Sequence, residues 1–240
     1  MSATENTAEN RSADEPGAAP GGTDKSQAVS ETLTELDSVA LSALLSSRVC
    51  HDLINPVGAI GSGLEVLDDP TMDTTMQEAA MDLIRSGAKK SIALLSYARL
   101  AYGAAGGFGA QISLEDAQKA LSGVFDTAKA DLDWQLGDGY AAKENVKVLL
   151  ILGFAAADSV PRGGTVTIAG DVKNFTIKAS GKKVILQDDF VRALKGDCSE
   201  MMPKFAPAYI ASLLIADAKG SVNALLTNDD AIFEASFPSQ

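Results

Sequence analysis

Metal ligands are scarce in this sequence. Its two cysteines, Cys50 and Cys198, stand far apart without metal-ligand spacing, and there is a single histidine, so a zinc site is close to excluded. The two thiols offer no disulfide framework and read as reduced cysteines of a cytosolic protein. Long hydrophobic runs are missing as well: no stretch of about 18 apolar residues is available to span a bilayer. The N-terminus lacks the basic and apolar regions of a signal peptide, so the expected location is the cytoplasm, with no membrane contact. Aromatic residues make up only 5% of the chain, which points to interiors built from Leu, Ile, Val and Ala. Positive charge is in deficit. A net charge of -12 leaves nothing to replace the counterions of a phosphate backbone, which argues against nucleic acid and for a basic protein surface as partner.

What remains is enough for a substantial core, and 240 residues allow two domains. Residues 1–28, "MSATENTAENRSADEPGAAPGGTDKSQA", are small, acidic and Pro/Gly-rich, and conformational entropy should leave them a disordered tail. From 30 to 69 the pattern is helical, with Ser30 as a candidate cap and "DDP" at 68–70 as a stop. Leu53, Val57, Ile60, Leu64 and Leu67 repeat at spacings of 4 and 3, the seam of a helical bundle. A second helix is predicted over 71–102, where Met76, Ala80, Leu83, Gly87, Ser91, Leu94, Ala98 and Ala101 keep the same spacing. Two helices joined by a short loop form a hairpin, and two hairpins complete a four-helix bundle, so residues 30–104 predict a homodimerising domain.

"GAAGGFGA", 103–110, reads as a linker, after which the period changes. "VKVLLILGFAAADSV" reads as a buried helix, "RGG" as a turn, and "TVTIAG", "NFTIKAS" and "KKVILQ" as strands. "PAYIASLLIADAKG" reads as a helix and "SVNALLTNDDAIFEASFP" as a hairpin around "NDD". The overall expectation is an α+β chain whose residues 111–240 form an α/β sandwich.

The only histidine stands in "RVCHDLINPVGAIGSGLEVL", 48–67. At 100° per residue His51 lies about 160° from the apolar seam and faces water, and Asn55, Gly58, Ser62 and Glu65 fall on the same outer face. This track is polar or small, a surface on which another protein could lie. Asp52 is placed to hold one ring nitrogen as N–H and leave the other as nucleophile. Pro56 removes a helix hydrogen bond below the histidine and is expected to bend the helix there, at about 3 kcal/mol if uncompensated. Arg48, one turn before His51, is a candidate for pairing with phosphate.

The combination of His51, Asp52, Asn55 and Pro56 resembles the phosphoacceptor box of the dimerisation and phosphotransfer domain of sensor histidine kinases. The resemblance implies that His51 is phosphorylated, that Asp52 orients or deprotonates it, and that Asn55 positions water or phosphate. The second half is similar to the ATP-binding domain of those kinases in outline only. Pro161, Gly163 and Gly164 keep its turn, but Ile151, Phe154 and Ala155 stand where asparagines would hold magnesium and phosphate, Ala179 replaces the adenine-binding aspartate, and Pro207 falls where a glycine-rich loop would cradle phosphate.

An intact phosphoacceptor box beside a degenerate ATP domain resembles the ChpT type of histidine phosphotransferase, over about residues 30–240. That likeness implies a dimer without ATP or a metal site of its own. It takes phosphoryl from the receiver domain of a hybrid kinase and passes it to receiver domains of response regulators, including a transcription factor controlling the cell cycle. Magnesium would arrive with the receiver. Arg48, Gly58, Ser62 and Glu65 are the candidate receiver-contacting residues. Two other readings fit the same residues: a kinase using ATP through an atypical site, and a non-catalytic dimeric adaptor.

Overall fold

The computed structural model describes residues 36–103 and 111–238. The expected tail, the Ser30 cap and most of the glycine-rich linker lie outside the described residues.

Two long helices come first. Helix α1, Ser38–Asp68, is capped by Asp37, whose carboxylate accepts from the amides of Val39 and Ala40 at 2.7 and 3.0 Å. Such a cap contributes about 1 kcal/mol. The helix runs unbroken through Pro56. After a short turn at Asp69–Met72, helix α2 runs over Thr74–Ala101, with Asp73 accepting from the Met76 amide at 2.9 Å. Two glycines let the helices meet. A Cβ on Gly87 would lie 2.6 Å from the Pro56 carbonyl oxygen, and one on Gly63 would lie 2.6 Å from the Ile84 side chain.

This close approach divides the predicted apolar seam. Pro56 and Gly63 are buried, with Ile60 and Leu67 half-buried beside them, but Val57 and Leu64 remain 51% and 49% exposed and Ile54 is 65% exposed. The reason is geometric: one partner helix covers only one side of α1, and the seam is wider than that contact. On α2 the exposed apolar residues include Ile92 and Leu95. Turning both helices by 100° per residue, in opposite directions along the hairpin, brings the two stripes to the same side of it, with Val57 and Leu64 about 120–140° from His51 and Ile54 about 60° from it.

The second half begins with β1, Gln111–Ser113, and helix α3, Leu114–Phe125, neither of which was read in the sequence. Strands β2, Ala130–Trp134, and β3, Tyr140–Ala142, lead to helix α4, Lys143–Ser159. Strands β4, Gly164–Gly170, and β5, Asn174–Gly181, follow, with Gly163 at φ +93° in the turn before β4, a conformation that glycine adopts without strain. Helix α5, Asp188–Leu194, and a short 3₁₀ turn, Pro203–Phe205, precede α6, Ala206–Asp217. Strands β6, Ser221–Leu226, and β7, Asp230–Ser236, close the chain as the expected hairpin.

Five strands form one sheet in the order β2-β4-β5-β7-β6, parallel only between β2 and β4. β1 and β3 pair separately. Along β5, Phe175, Ile177 and Ala179 are buried while Asn174, Thr176 and Lys178 are exposed, the alternation of a sheet with helices on one face. Helices α3, α4 and α6 supply that layer. The expected strand "KKVILQ", 182–187, is not one. β5 already has β4 and β7 on its two sides, so this apolar segment cannot pair with the strand it follows; the Ile185 amide donates instead to the Ser159 carbonyl at 2.9 Å.

The hairpin and the sandwich are continuous in the interior. Tyr97, Leu100 and Ala101 of α2 belong to the same hydrophobic cluster as Leu121, Leu150 and Ile168. The Tyr97 ring stacks on Phe154 of α4 at 4.9 Å, and its hydroxyl donates to the Leu150 carbonyl at 3.3 Å.

Candidate functional site

His51 projects from the middle of α1 with 77% of its side chain exposed. Asn55, Gly58, Ser62 and Glu65 are all exposed along the same helix, as their spacing predicts. No side chain of the fold stands over Gly58, where an added Cβ would find nothing within 4 Å.

Asp52, with 22% of its side chain exposed, connects two groups. Its Oδ1 lies 3.4 Å from Nδ1 of His51, and its Oδ2 accepts from Nε of Arg48 at 2.7 Å. A carboxylate cannot donate, so this contact is satisfied when Nδ1 carries the proton, and Nε2 then holds the free lone pair.

Arg48 is not at the surface. It was expected to face an incoming phosphate, but the structure buries it to 8% exposure between the hairpin and the sandwich. Besides Asp52, its guanidinium donates from Nη1 to the Lys204 carbonyl at 3.2 Å, places Nη2 3.9 Å from Asp158, and lies 5.6 Å from the centre of the Phe154 ring. Burial opposes its charge, but Asp52, through charge and hydrogen bond, and Asp158, through charge, outweigh that and raise its pKa. Arg48 and Asp52 are one turn apart, a spacing visible in the sequence. Phe154, Asp158 and Lys204 are distant in sequence and carried no signal of this meeting.

Two tyrosines border the same place. The Tyr102 hydroxyl donates to that of Tyr97 at 3.4 Å, and burial pushes Tyr102 up to about 12 and Tyr97 well above the usual range. Between them, Arg48, Phe154 and Phe205 lies a cavity of about 40 Å³. Ala155 and Pro207 line it, Ile151 is buried at its wall, and Ala179 is enclosed in the sheet opposite Val166 and Ala231. Among the described residues, no group of three or more His, Cys, Asp and Glu side chains is placed to hold a metal ion. None of the helices described is long and apolar enough to cross a membrane. Cys50 is exposed and Cys198 half-buried.

Comparison with known proteins gives this arrangement relatives. Protein phosphotransferase ChpT of Brucella abortus (strain 2308) is 34% identical over 210 residues, covering 85% of this chain and 97% of its own. The chain belongs to the ChpT-type histidine phosphotransferase family. Residues 114–230 match the model of the histidine phosphotransferase C-terminal domain. A solved bacterial phosphotransferase superimposes with a TM-score of 0.75 at 32% identity, over 85% of this chain and 99% of that one. Membership in the histidine phosphotransferase family fixes the class of chemistry as phosphoryl transfer in two-component signalling. It also accords with the α+β architecture, a helical hairpin followed by a sheet-and-helix sandwich.

Proposed function

We propose that this chain is the histidine step of a multistep phosphorelay. His51 takes a phosphoryl group from the aspartyl phosphate of a hybrid kinase's receiver domain and passes it to the aspartate of a response-regulator receiver. In the accepting step Nε2 attacks phosphorus, the N–P bond forms, the P–O bond to the receiver's aspartate breaks, and that carboxylate departs as the anion. The Nδ1–H facing Asp52 stabilises the positive charge that grows on the ring. Delivery to the second receiver is the same exchange run in reverse. Such a transfer asks mainly for in-line placement and charge neutralisation. A neutral imidazole is the nucleophile.

The observation that carries this reading is the 77% exposed imidazole beside a carboxylate whose other oxygen is already held. Asn55, one turn further on the same face, is the side chain assigned to phosphoryl or attacking water. Gly58 and Ser62 leave room for a receiver helix, and Glu65 selects it by charge. Magnesium is assigned to the receiver's acidic pocket. The exposed stripes of Ile54, Val57 and Leu64 on α1 and Ile92 and Leu95 on α2 support a homodimer in which two hairpins form a four-helix bundle.

ATP has no part in this reading. Where the resemblance would place ATP, the cavity lined by Ile151, Phe154, Ala155 and Pro207 measures about 40 Å³, far below the roughly 300–1,000 Å³ of small-molecule sites, and the one carboxylate on its wall, Asp158, faces Arg48. Saturable binding of ATP with magnesium in a calorimetric titration would overturn that part.

The deciding experiment incubates the purified chain with a receiver domain carrying labelled phosphoryl. The expected result is acid-labile, alkali-stable label on the chain, absent from His51→Ala, which then moves to a second receiver. Binding without any transfer of label would mean an adaptor and would overturn the proposal.

A further inference from the structure

We propose that Arg48 is a positioning residue for His51: anchored on the sandwich, it holds Oδ2 of Asp52 so that Oδ1 faces Nδ1, which fixes Nε2 as the attacking nitrogen. The inference rests on the phosphotransfer reading above and adds a residue that never touches the phosphoryl group.

The geometry makes the case. A carboxylate on an exposed helix rotates freely and offers either oxygen to water, so an adjacent aspartate alone does not select one ring nitrogen. Here Asp52 is not free, because its Oδ2 is engaged at 2.7 Å. The group engaging it is a planar fork whose donors point in fixed directions. That plane is itself set from the other half of the molecule, by the Lys204 carbonyl at 3.2 Å, Asp158 at 3.9 Å and the face of Phe154 at 5.6 Å. All three partners belong to α4 or to the turn before α6. The α/β half thus determines which way the imidazole of the hairpin is polarised. Lysine does not replace the arginine, since Asp52, the Lys204 carbonyl and Asp158 are met by three different guanidinium nitrogens, Nε, Nη1 and Nη2, and a single ammonium nitrogen cannot occupy all three places.

A purely structural Arg48 would tie the two halves together and leave the ring chemistry alone. The two roles separate cleanly because the chain has a single histidine, so an imidazole labelled with ¹⁵N gives one set of ring signals. In the wild type these should report an excess of the Nδ1–H tautomer. In Arg48→Met the populations should move toward the Nε2–H form that solvated imidazoles favour. Acceptance from a phosphorylated receiver should fall about ten- to a hundredfold, the cost of losing orientation at the reacting atom. Should Arg48→Met lose its dispersed amide spectrum, Arg48→Lys, which keeps a cation in the slot, carries the same test and should show the same direction. A folded variant with wild-type ring signals overturns the proposal, and so does a shifted tautomer with an unchanged transfer rate. A wild-type chain that accepts no label would count instead against the functional reading, while the nitrogen spectrum decides the role of Arg48 independently.

Discussion

Gly87→Ala tests how the helix carrying the histidine is seated, because two effects of opposite sign compete there. Replacing a helical glycine by alanine ordinarily stabilises by about 0.5–1 kcal/mol, since alanine loses less backbone entropy on folding. At Gly87, however, the new methyl would stand 2.6 Å from the Pro56 carbonyl oxygen and 2.9 Å from Cγ1 of Ile60. The isoleucine can rotate. The carbonyl belongs to a continuous helix and cannot yield without moving α1 away from α2. Overpacking of this kind costs about 1–3 kcal/mol. The net expectation is a loss of about 1–2 kcal/mol, or a Tm lower by about 2–8 °C for a chain of this size. Gly58→Ala is the paired control: it lies on the same hairpin with nothing within 4 Å, so the propensity gain stands alone and its Tm should rise. Circular dichroism melts at one fixed protein concentration read both variants, because association shifts Tm by mass action. A Gly87→Ala protein melting at or above the wild type would refute the claim that backbone contact sets the spacing of the two helices.

Three further outcomes are expected. Gly58→Ala, though stabilising, should slow transfer from a phosphorylated receiver, and an unchanged rate would remove Gly58 from the docking track. Ile54→Glu places a charge on the exposed apolar stripe and should convert the dimer to monomer in sedimentation equilibrium, whereas an undiminished mass would exclude that stripe as the interface. For Tyr102 the folded pKa of about 12 exceeds the ordinary 10.0, so the fold holds the proton more tightly than the unfolded chain does. Its contribution is complete below about pH 10 and is lost as pH rises toward 12, up to roughly 2–3 kcal/mol. Urea midpoints at pH 9 and pH 11.5 should show that fall, with a smaller one in Tyr102→Phe.

Local chemistry made the site's surface legible and left its support hidden. The outward direction of His51, Asn55, Gly58, Ser62 and Glu65 follows from a single angle per residue, and a helix obeys that rule whatever packs behind it. The placement of Arg48 does not follow from any local rule, because burial depends on the sandwich closing over α1. The one-turn spacing of Arg48 and Asp52 allows their bond, but the sequence points Arg48 toward phosphate, and nothing near it in sequence indicates Phe154 or Asp158. The same distinction explains the fold. Helices α1 and α2 and the strands around 165–180 and 221–236 carry a periodic pattern, and α4 and α6 stand out as long apolar runs, whereas 182–187 looks like a strand until β5, the strand it follows, is seen to be paired on both sides. The three-residue strands β1 and β3 are too short for a period to register. Val57 and Leu64 keep the seam's period; their exposure follows from α2 covering only one side of α1.

The stacking of Tyr97 on Phe154 has a kinetic corollary. In the proposed relay the sandwich and the hairpin share one core, and each transfer is an encounter between this chain and a separate receiver. Throughput then becomes second order: it scales with how many charged visitors are in solution and how fast they collide, and dilution alone is enough to slow the signal.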